Sequence, residues 1–268
     1  AELAQKLVEY EMGDVVLYVG ENLSYPDEKL FTFYLDEFET KLFDLPEGVY
    51  TCLIENEDCK EQILTPGMDD EIFSRTKVPM TKNEVRVLSI SRLELTKKAV
   101  VYDVGSGTGS VSAECARLSP DIVVFAIEQK EEAANLTKEN AIRLGLSDQI
   151  MVINKKAPEG FEELPTPTHV FIGGSSGALS DILSAIQKKL IVKENTKGVR
   201  VVINAVSLET IAQITKLIQT YPVKHVQLTQ IQASRAHKLG SYNLMQAQNP
   251  VLIASFNLLP DDKMEADE

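Results

Sequence analysis

The chain has 268 residues, of which 44% are hydrophobic and 25% charged, and this composition excludes a disordered or fibrous protein. There are 27 Lys and Arg against 40 Asp and Glu, which gives a net charge of −13 at pH 7. Such an acidic chain lacks the phosphate-neutralising surface of nucleic-acid-binding proteins, so we expect no nucleic-acid partner. No apolar stretch approaches the ~18–20 residues that cross a bilayer, and no signal peptide opens the chain. We therefore expect a cytoplasmic protein with no membrane partner.

The three cysteines are too few and too scattered for a disulfide framework or a metal site. Cys52, Cys59 and Cys115 form no CxxC pair, and the three histidines are equally dispersed. We therefore expect reduced thiols and no bound metal.

Changes in composition along the chain predict its domain organisation. Residues 1–75 are acidic and irregular, with predicted strands at 15–19 and 49–54. The segment 64–80 contains Pro66, Gly67 and Pro79 and has no clear periodicity, which is typical of a connector. The charged C-terminal residues favour a frayed, disordered tail. The predicted boundaries are a small α/β subdomain over 1–65, a linker over 66–80, a large domain over 81–258 and the tail over 259–268.

The large domain alternates short β-branched runs with amphipathic segments of helical length, which indicates βαβ units and a parallel sheet. The last two strands have no helix between them, and we expect an antiparallel pair at the edge of the sheet. The predicted strands are 99–104, 122–127, 150–153, 169–172, 199–206, 226–233 and 251–256. The predicted helices are 111–118, 130–144, 179–190 and 208–221.

A glycine-rich turn follows the first of these strands. Gly105, Gly107 and Gly109 stand at alternate positions directly before a predicted helix. Glycine permits backbone conformations and close ligand approach that a Cβ would prevent. Ligands of parallel sheets bind outside the carboxyl ends of the strands, where this turn lies. The turn is a candidate ligand site, although tight strand–helix packing would also account for it.

Two acidic residues indicate which ligand the turn suits. The spacing GxGxG differs from the GxGxxG of dinucleotide sites, and Asp103 precedes the first glycine by two residues. A carboxylate there would repel a pyrophosphate but attract an ammonium group. Glu128 ends the next strand, ~20 residues on, where an acidic side chain can bind both ribose hydroxyls. The combination resembles the S-adenosylmethionine-dependent class I methyltransferases. That resemblance implies an α/β, Rossmann-like fold whose seven-stranded sheet is mostly parallel with an antiparallel edge strand.

A more specific resemblance covers residues 66–256. The chain is similar to the decarboxylating precorrin methyltransferases of cobalamin biosynthesis, which methylate carbon 15 of a tetrapyrrole and remove the carboxyl of the acetate on carbon 12. The segments that carry this resemblance are 78–86 (VPMTKNEVR), 103–109 (DVGSGTG), 157–159 (APE), 171–177 (FIGGSSG) and 249–251 (NPV).

The front of the chain resembles part of a second enzyme. Residues 19–28 (VGENLSYPDE) are similar to the second half of the tetrapyrrole methylase that acts on carbon 5, which bifunctional members fuse ahead of the carbon-15 domain. The first half is missing, and the chain starts at Ala1 rather than Met. We therefore expect a truncated bifunctional protein that does not methylate carbon 5.

The resemblance also implies site residues and partners. It implies S-adenosylmethionine as cofactor, a precorrin as substrate, and a homo-oligomer, either a dimer or a tetramer. Together with the reasoning on Asp103, the expected cofactor-binding residues are Thr81, Asp103, Gly105, Ser106, Gly107, Thr108, Gly109, Glu128 and Ala157.

A precorrin has several carboxylates, so cations and hydroxyls beside the carboxyl ends of the strands are the candidates to bind it. Arg235 and Lys238 are predicted in a turn between the last two strands, where an arginine can bind a carboxylate through two donors. Gly174, Ser175 and Ser176 follow the fourth strand of the large domain and are the other substrate candidates. A solvated basic loop, and an N-cap role for Ser176, remain alternatives.

Asn204 and Glu209, which flank the end of the fifth strand of the large domain, are weak catalytic candidates. Glu209 could equally provide a favourable charge in the first turn of a helix. Methyl transfer to an electron-rich ring carbon needs positioning more than a general base. Two other functions stay open: a class I methyltransferase for another small molecule, such as an O-methyltransferase, and a non-catalytic cofactor-binding module.

Overall fold

The computed structural model describes residues 7, 15–34, 48–56, 65–192 and 198–260. Cys59 and residues 261–268 of the predicted tail lie outside the described residues. The chain divides into two compact units, and the larger contains residues 64–141 and 146–268. Within the described ranges, no helix is both long and apolar enough to span a bilayer.

The smaller unit contains an antiparallel sheet of three strands. These are β1 (Val15–Glu21), β2 (Lys29–Tyr34) and β3 (Tyr50–Asn56), and β1 lies in the middle. Val15, Leu17 and Val19 alternate along β1 and are buried, as expected for a strand with one covered face. The strands predicted at 15–19 and 49–54 correspond to β1 and β3, while β2 was not predicted.

The larger unit alternates strands and helices as the sequence predicts. Its helices are α1 (Asn83–Leu93), α2 (Ser110–Ala116), α3 (Glu131–Arg143), α4 (Leu179–Val192) and α5 (Leu208–Thr220). Its strands are β4 (Val100–Val104), β5 (Val123–Ile127), β6 (Ile150–Ile153), β7 (His169–Ile172), β8 (Val199–Ala205), β9 (Val223–Ile231), β10 (Ser234–Leu239), β11 (Tyr242–Ala247) and β12 (Val251–Leu258).

Seven of these strands form one sheet in the order β6-β5-β4-β7-β8-β12-β9. The five strands from β6 to β8 are parallel, and β12 is antiparallel to both of its neighbours. The mostly parallel seven-stranded sheet and the antiparallel pair at its edge are therefore confirmed. Within that pair β9 occupies the edge, and the antiparallel strand β12 lies one position further in.

Two elements of the larger unit were not predicted. Helix α1 contains the β-branched residues Val85, Val87 and Ile90, which weaken the helical signal of the sequence. Strands β10 and β11 pair only with each other, as an antiparallel hairpin that turns at Gly240. The prediction that Arg235 and Lys238 lie in a turn is wrong, because both belong to β10. The apolar and polar residues of β11 do not alternate regularly, so they gave no strand pattern.

Candidate active site

The glycine turn after β4 is shaped by close approaches of the backbone. Gly105, Gly107 and Gly109 have φ angles of 74°, 60° and 74°, which is the left-handed region that favours glycine. A Cβ on Gly105 would lie 2.7 Å from the carbonyl oxygen of Gly174. A Cβ on Gly107 would lie 2.9 Å from the carbonyl oxygen of Pro79. The first two glycines therefore let the turn lie against two other cavity-lining segments.

The turn forms part of a cavity of about 1120 Å³ within the larger unit. The residues after β4, β5, β7 and β8 contribute to its wall, since the carboxyl ends of parallel strands share one edge of the sheet. Small-molecule sites usually have volumes of ~300–1,000 Å³, so this cavity has room for a cofactor and a second ligand. The predicted site residues that line it are Thr81, Gly105, Ser106, Gly107, Glu128, Ala157, Gly174, Ser175, Ser176, Asn204 and Arg235.

The other predicted site residues are not among the lining residues. Thr108 is fully buried, and a Cβ on Gly109 would meet Thr137 of helix α3, so both lie behind the turn. Lys238 is exposed on β10. Glu209 lies in the first turn of α5, beside the N-cap residue Ser207.

Glu128 closes over the glycine turn. Its Oε2 accepts a hydrogen bond from the Gly107 amide at 3.1 Å, and its Oε1 accepts from the Lys130 amide at 2.9 Å. The side chain is buried yet lines the cavity. Each carboxylate oxygen has a second lone pair, so hydroxyl groups of a ligand could still donate to it.

A side-chain hydrogen bond joins the two loops that flank the turn. Gln129, which follows β5, donates from Nε2 to the Oγ of Ser176 at 2.7 Å. Ser176 follows β7 and has a φ of 48°. Because β4 lies between β5 and β7, this bond connects loops on either side of the strand that carries the glycine turn.

Asp103 is buried behind the turn with one oxygen unsatisfied. The Oγ of Ser112 donates to its Oδ2 at 2.5 Å, while Oδ1 has no hydrogen-bond partner. Burial raises the pKa of Asp103 from 3.8 to about 6, and the hydrogen bond from Ser112 lowers it only in part. A buried carboxylate oxygen without a partner is costly, and a nearby cationic group would relieve that cost.

The charge of the cavity is opposite to that of the chain. Among the described residues, only two acidic side chains, Glu128 and Glu132, line the cavity. The basic or imidazole side chains in the wall are Lys77, Lys82, Lys130, Lys155, Lys156, Arg235 and His237. This distribution lets an acidic protein attract an anionic ligand locally.

A buried ion-pair network that the sequence did not predict supports one wall of the cavity. Arg86 has no exposed surface, and it donates to Asp70 at 3.1 Å and to Glu114 at 3.3 Å. Its Nη1 also donates to the carbonyl oxygen of Thr81 at 2.7 Å, and Nη2 donates to the carbonyl oxygen of Met68. Within the predicted linker 66–80, Asp70 is thus buried in the larger unit. The network fixes the backbone at Thr81, a cavity residue.

The sequence profile of the precorrin methyltransferase domain family matches residues 71–257 of this chain. The chain belongs to this family. The match spans α1 to β12 and therefore every described element that contributes to the cavity. The expected family and the class I methyltransferase fold are confirmed.

Named relatives of this precorrin methyltransferase domain agree with one another. A probable cobalt-precorrin-6B C(15)-methyltransferase (decarboxylating) from Pyrobaculum calidifontis is 38% identical over 191 residues, which cover 70% of this chain and 94% of the relative. The solved precorrin-6Y C5,15-methyltransferase of Geobacter metallireducens has a TM-score of 0.65 and 30% identity, covering 72% of this chain and 97% of that one. The precorrin 8w decarboxylase of Methanobacterium thermoautotrophicum also has a TM-score of 0.65, with 31% identity, covering 71% and 100%.

The residues of this precorrin methyltransferase domain suit S-adenosylmethionine, the cofactor that its fold implies. Asp103 does not line the cavity, but its buried Oδ1, which has no hydrogen-bond partner among the described residues, lies behind the glycine turn, where a negative charge favours a ligand that has an ammonium group. Glu128 offers carboxylate lone pairs beside the glycine turn. A Cβ added to Gly174 would contact nothing within 4 Å, so the wall is open at that point.

Ionisation of Asp103 should make stability depend on pH. The native pKa is raised, so between about pH 4 and 6 the folded protein retains a proton that the unfolded chain releases. The free energy of unfolding should therefore fall as pH rises through this window, by up to roughly 3 kcal/mol at about 1.4 kcal/mol per pKa unit. Urea unfolding of wild type and Asp103→Asn at pH 4.5 and pH 7 measures this pH dependence. Between the two pH values, the free energy of unfolding of the variant should fall much less than that of wild type. An equal fall in both proteins would show that Asp103 does not titrate in this range.

Proposed function

We propose that this chain is an S-adenosylmethionine-dependent methyltransferase and decarboxylase of a precorrin-6-type tetrapyrrole. It would methylate carbon 15 and remove the carboxyl of the acetate on carbon 12. The observation that carries this proposal is the family match over residues 71–257, which includes the glycine turn and its cavity. The decarboxylating relatives named above support the second half of the reaction.

When bound, S-adenosylmethionine would supply a methyl group on a cationic sulfur, and the sulfur would leave as the neutral thioether of S-adenosylhomocysteine when a nucleophilic ring carbon takes that methyl. The chain's part is to bind and orient it and to exclude water. Glu128 would accept hydrogen bonds from ribose hydroxyls, and ionised Asp103 would attract the ammonium group from behind the turn. Thr81, Ser106 and Ala157 would contact the remainder, since all three line the cavity.

The acceptor would lie beside β7 and β8, in the part of the cavity that the cofactor leaves free. The open position at Gly174 allows a flat macrocycle to approach the backbone. Ser175, Ser176 and Arg235 can donate to carboxylates of the substrate. Asn204, whose Nδ2 donates to the Oγ of Ser89 at 2.9 Å, lines the same region and is held in place by that bond.

Mass spectrometry of a reaction with S-adenosylmethionine and a precorrin-6-type tetrapyrrole tests the proposal. We expect the product to gain one methyl group and to lose one carbon dioxide. Glu128→Ala should raise the Kd for S-adenosylhomocysteine at least about tenfold in calorimetric titration, because charged hydrogen bonds contribute ~1.5–3 kcal/mol. Glu132→Ala is the matched control: it removes another carboxylate of the cavity wall, and its Kd should stay within about twofold of wild type.

The other outcomes each refute part of the proposal. Methyl transfer without loss of carbon dioxide would refute the decarboxylase activity. Binding of S-adenosylhomocysteine without any turnover of the tetrapyrrole would favour a non-catalytic cofactor-binding module. Absence of binding would refute the cofactor assignment.

A further inference from the structure

Arg235 is clamped by carboxylates from two other segments of the chain. Its Nε and Nη2 donate to the two carboxylate oxygens of Glu84, both at 2.7 Å. Its Nη1 donates to the Oδ2 of Asp70 at 2.8 Å. A guanidinium has five N–H bonds, so two of them remain beyond these three contacts. Arg235 itself lines the cavity, whereas Glu84 and Asp70 are not among the lining residues.

The two carboxylates differ in how firmly they are held. Asp70 is only 2% exposed, and its Oδ1 accepts hydrogen bonds from Arg86 and from the Asn83 amide. Glu84 lies in the first turn of α1, and its side chain is half exposed. It binds Arg235 through both carboxylate oxygens, in a two-pronged geometry. The Arg235 guanidinium holds the pKa of Glu84 below its usual range, so the pair is ionised at neutral pH. Asp70 thus anchors the clamp, and Glu84 sets the orientation of the guanidinium plane.

The clamp connects two sides of the cavity. Arg235 is on β10, whose hairpin contributes Ala236, His237 and Gln246 to the wall. Glu84 is on α1, and the residues just before α1, from 77 to 82, line another part of the same cavity. Among the described strands, those of the hairpin pair only with each other, and the clamp is a side-chain contact that links the hairpin to α1.

A stabilising role alone does not explain this geometry. Arg235 is 38% and Glu84 37% exposed, and exposed ion pairs contribute only ~0–1 kcal/mol to stability. A two-pronged arginine–carboxylate pair is, however, geometrically specific, because it fixes the plane and the position of the guanidinium. Three carboxylate contacts would also be an unusual use of an arginine that served only as a solvated surface cation.

We propose that Glu84 is a positioning residue, which holds Arg235 so that its two remaining N–H donors bind a carboxylate of the tetrapyrrole. The inference rests on the proposed function for the identity of the ligand. Glu84 does not line the cavity, so its effect on the ligand passes through Arg235.

The test measures tetrapyrrole binding without turnover, by absorbance titration of a precorrin-6-type substrate in the absence of cofactor. Glu84→Gln should raise the tetrapyrrole Kd about tenfold, the scale of one charge-assisted hydrogen bond. Arg235→Ala should raise it at least as much, and adding Glu84→Gln to Arg235→Ala should change nothing further. The Kd for S-adenosylhomocysteine should stay within about twofold of wild type in every variant.

Glu94→Gln is the matched control. Glu94 follows the last residue of α1 and pairs with Arg200 at 3.0 Å, away from the cavity lining. It should leave the tetrapyrrole Kd unchanged while losing another arginine–glutamate pair of α1, one that has a single hydrogen bond. An effect equal to that of Glu84→Gln would show a general loss of helix stability and overturn the inference.

Three results separate this inference from the proposed function. Unchanged tetrapyrrole affinity in Glu84→Gln overturns the inference alone, as does an undiminished effect of Glu84→Gln in the Arg235→Ala background. Wild-type protein that binds the tetrapyrrole but does not methylate it refutes the proposed function and leaves the positioning role measurable. Wild-type protein that binds no tetrapyrrole refutes both.

Discussion

Replacing Arg86 with methionine should lower the free energy of unfolding by up to about 3–5 kcal/mol, because it removes the buried cation that lies between two buried carboxylates. Asp70 would keep its contact with Arg235, and Glu114 its contact with Arg117. Asp70 is 2% exposed and Glu114 is fully buried, so water cannot replace the lost contacts. The Cζ of Arg86 also lies 5.0 Å from the centre of the Phe73 ring, a contact that methionine keeps only as apolar packing. Urea denaturation at pH 7 followed by circular dichroism measures the loss.

Lys155→Met is the control for Arg86→Met. Lys155 pairs with Glu163 at 3.7 Å, and the two side chains are 45% and 71% exposed. An exposed pair contributes ~0–1 kcal/mol, so this variant should unfold close to wild type. If both variants lost the same free energy of unfolding, burial of the Arg86 network would not be the source of its stabilisation.

The Arg86 variant should also bind S-adenosylhomocysteine more weakly, since it loses the hydrogen bond to the Thr81 carbonyl.

Gly105→Ala should impair both folding and cofactor binding. The residue has a φ of 74°, which costs an alanine ~1–2 kcal/mol, and the new Cβ would meet three backbone atoms of Gly174 at 2.7–3.0 Å. Relief of that overlap must move one of two cavity loops, at a further ~1–3 kcal/mol. We therefore expect a stability loss of roughly 2–5 kcal/mol and an affinity for S-adenosylhomocysteine that is at least about tenfold weaker.

Gly145→Ala is the control that has the energetic cost of a positive φ without the steric overlap of a new Cβ. Gly145 has a φ of 66°, but a Cβ there would contact nothing within 4 Å. This variant should lose only ~1–2 kcal/mol of stability and bind S-adenosylhomocysteine as wild type does. Thermal denaturation and calorimetric titration of both variants measure the two effects. Equal losses in affinity would show that the contact between the turn and Gly174 is irrelevant to the site.

The secondary structure of the sheet and its flanking helices was predictable because it is encoded locally. Buried parallel strands such as β4 and β7 are short β-branched runs, and amphipathic helices such as α3 repeat their apolar residues at helical spacing. Helix α1 and the hairpin of β10 and β11 were not predictable in this way. The first contains β-branched residues. The second is a solvent-exposed ribbon of mixed polar and apolar residues, whose strands pair only with each other among the described strands.

The cofactor side of the candidate site was also visible in the sequence. The glycine turn and Glu128 are defined by spacing from neighbouring strands, and the fold brings the ends of those strands together. Both reach the cavity, as the spacing predicts. Asp103 does not line the cavity, since its side chain turns back toward Ser112 of α2.

By itself, the sequence determined the seven strands of the main sheet, helices α2 to α5, the turn after β4 and the family, because each is encoded in short segments of the chain. Only the tertiary structure decided which charged groups pair. Arg235 contacts Glu84 and Asp70 across 151 and 165 residues, and Arg86 contacts Glu114 across 28. Nothing in the spacing of such residues predicts their contact, because it arises from the packing of α1 against α2 and from the approach of the hairpin to α1. Because of this packing, Arg235 is held by Glu84 and Asp70 in the wall of the cavity and does not lie in a solvated loop.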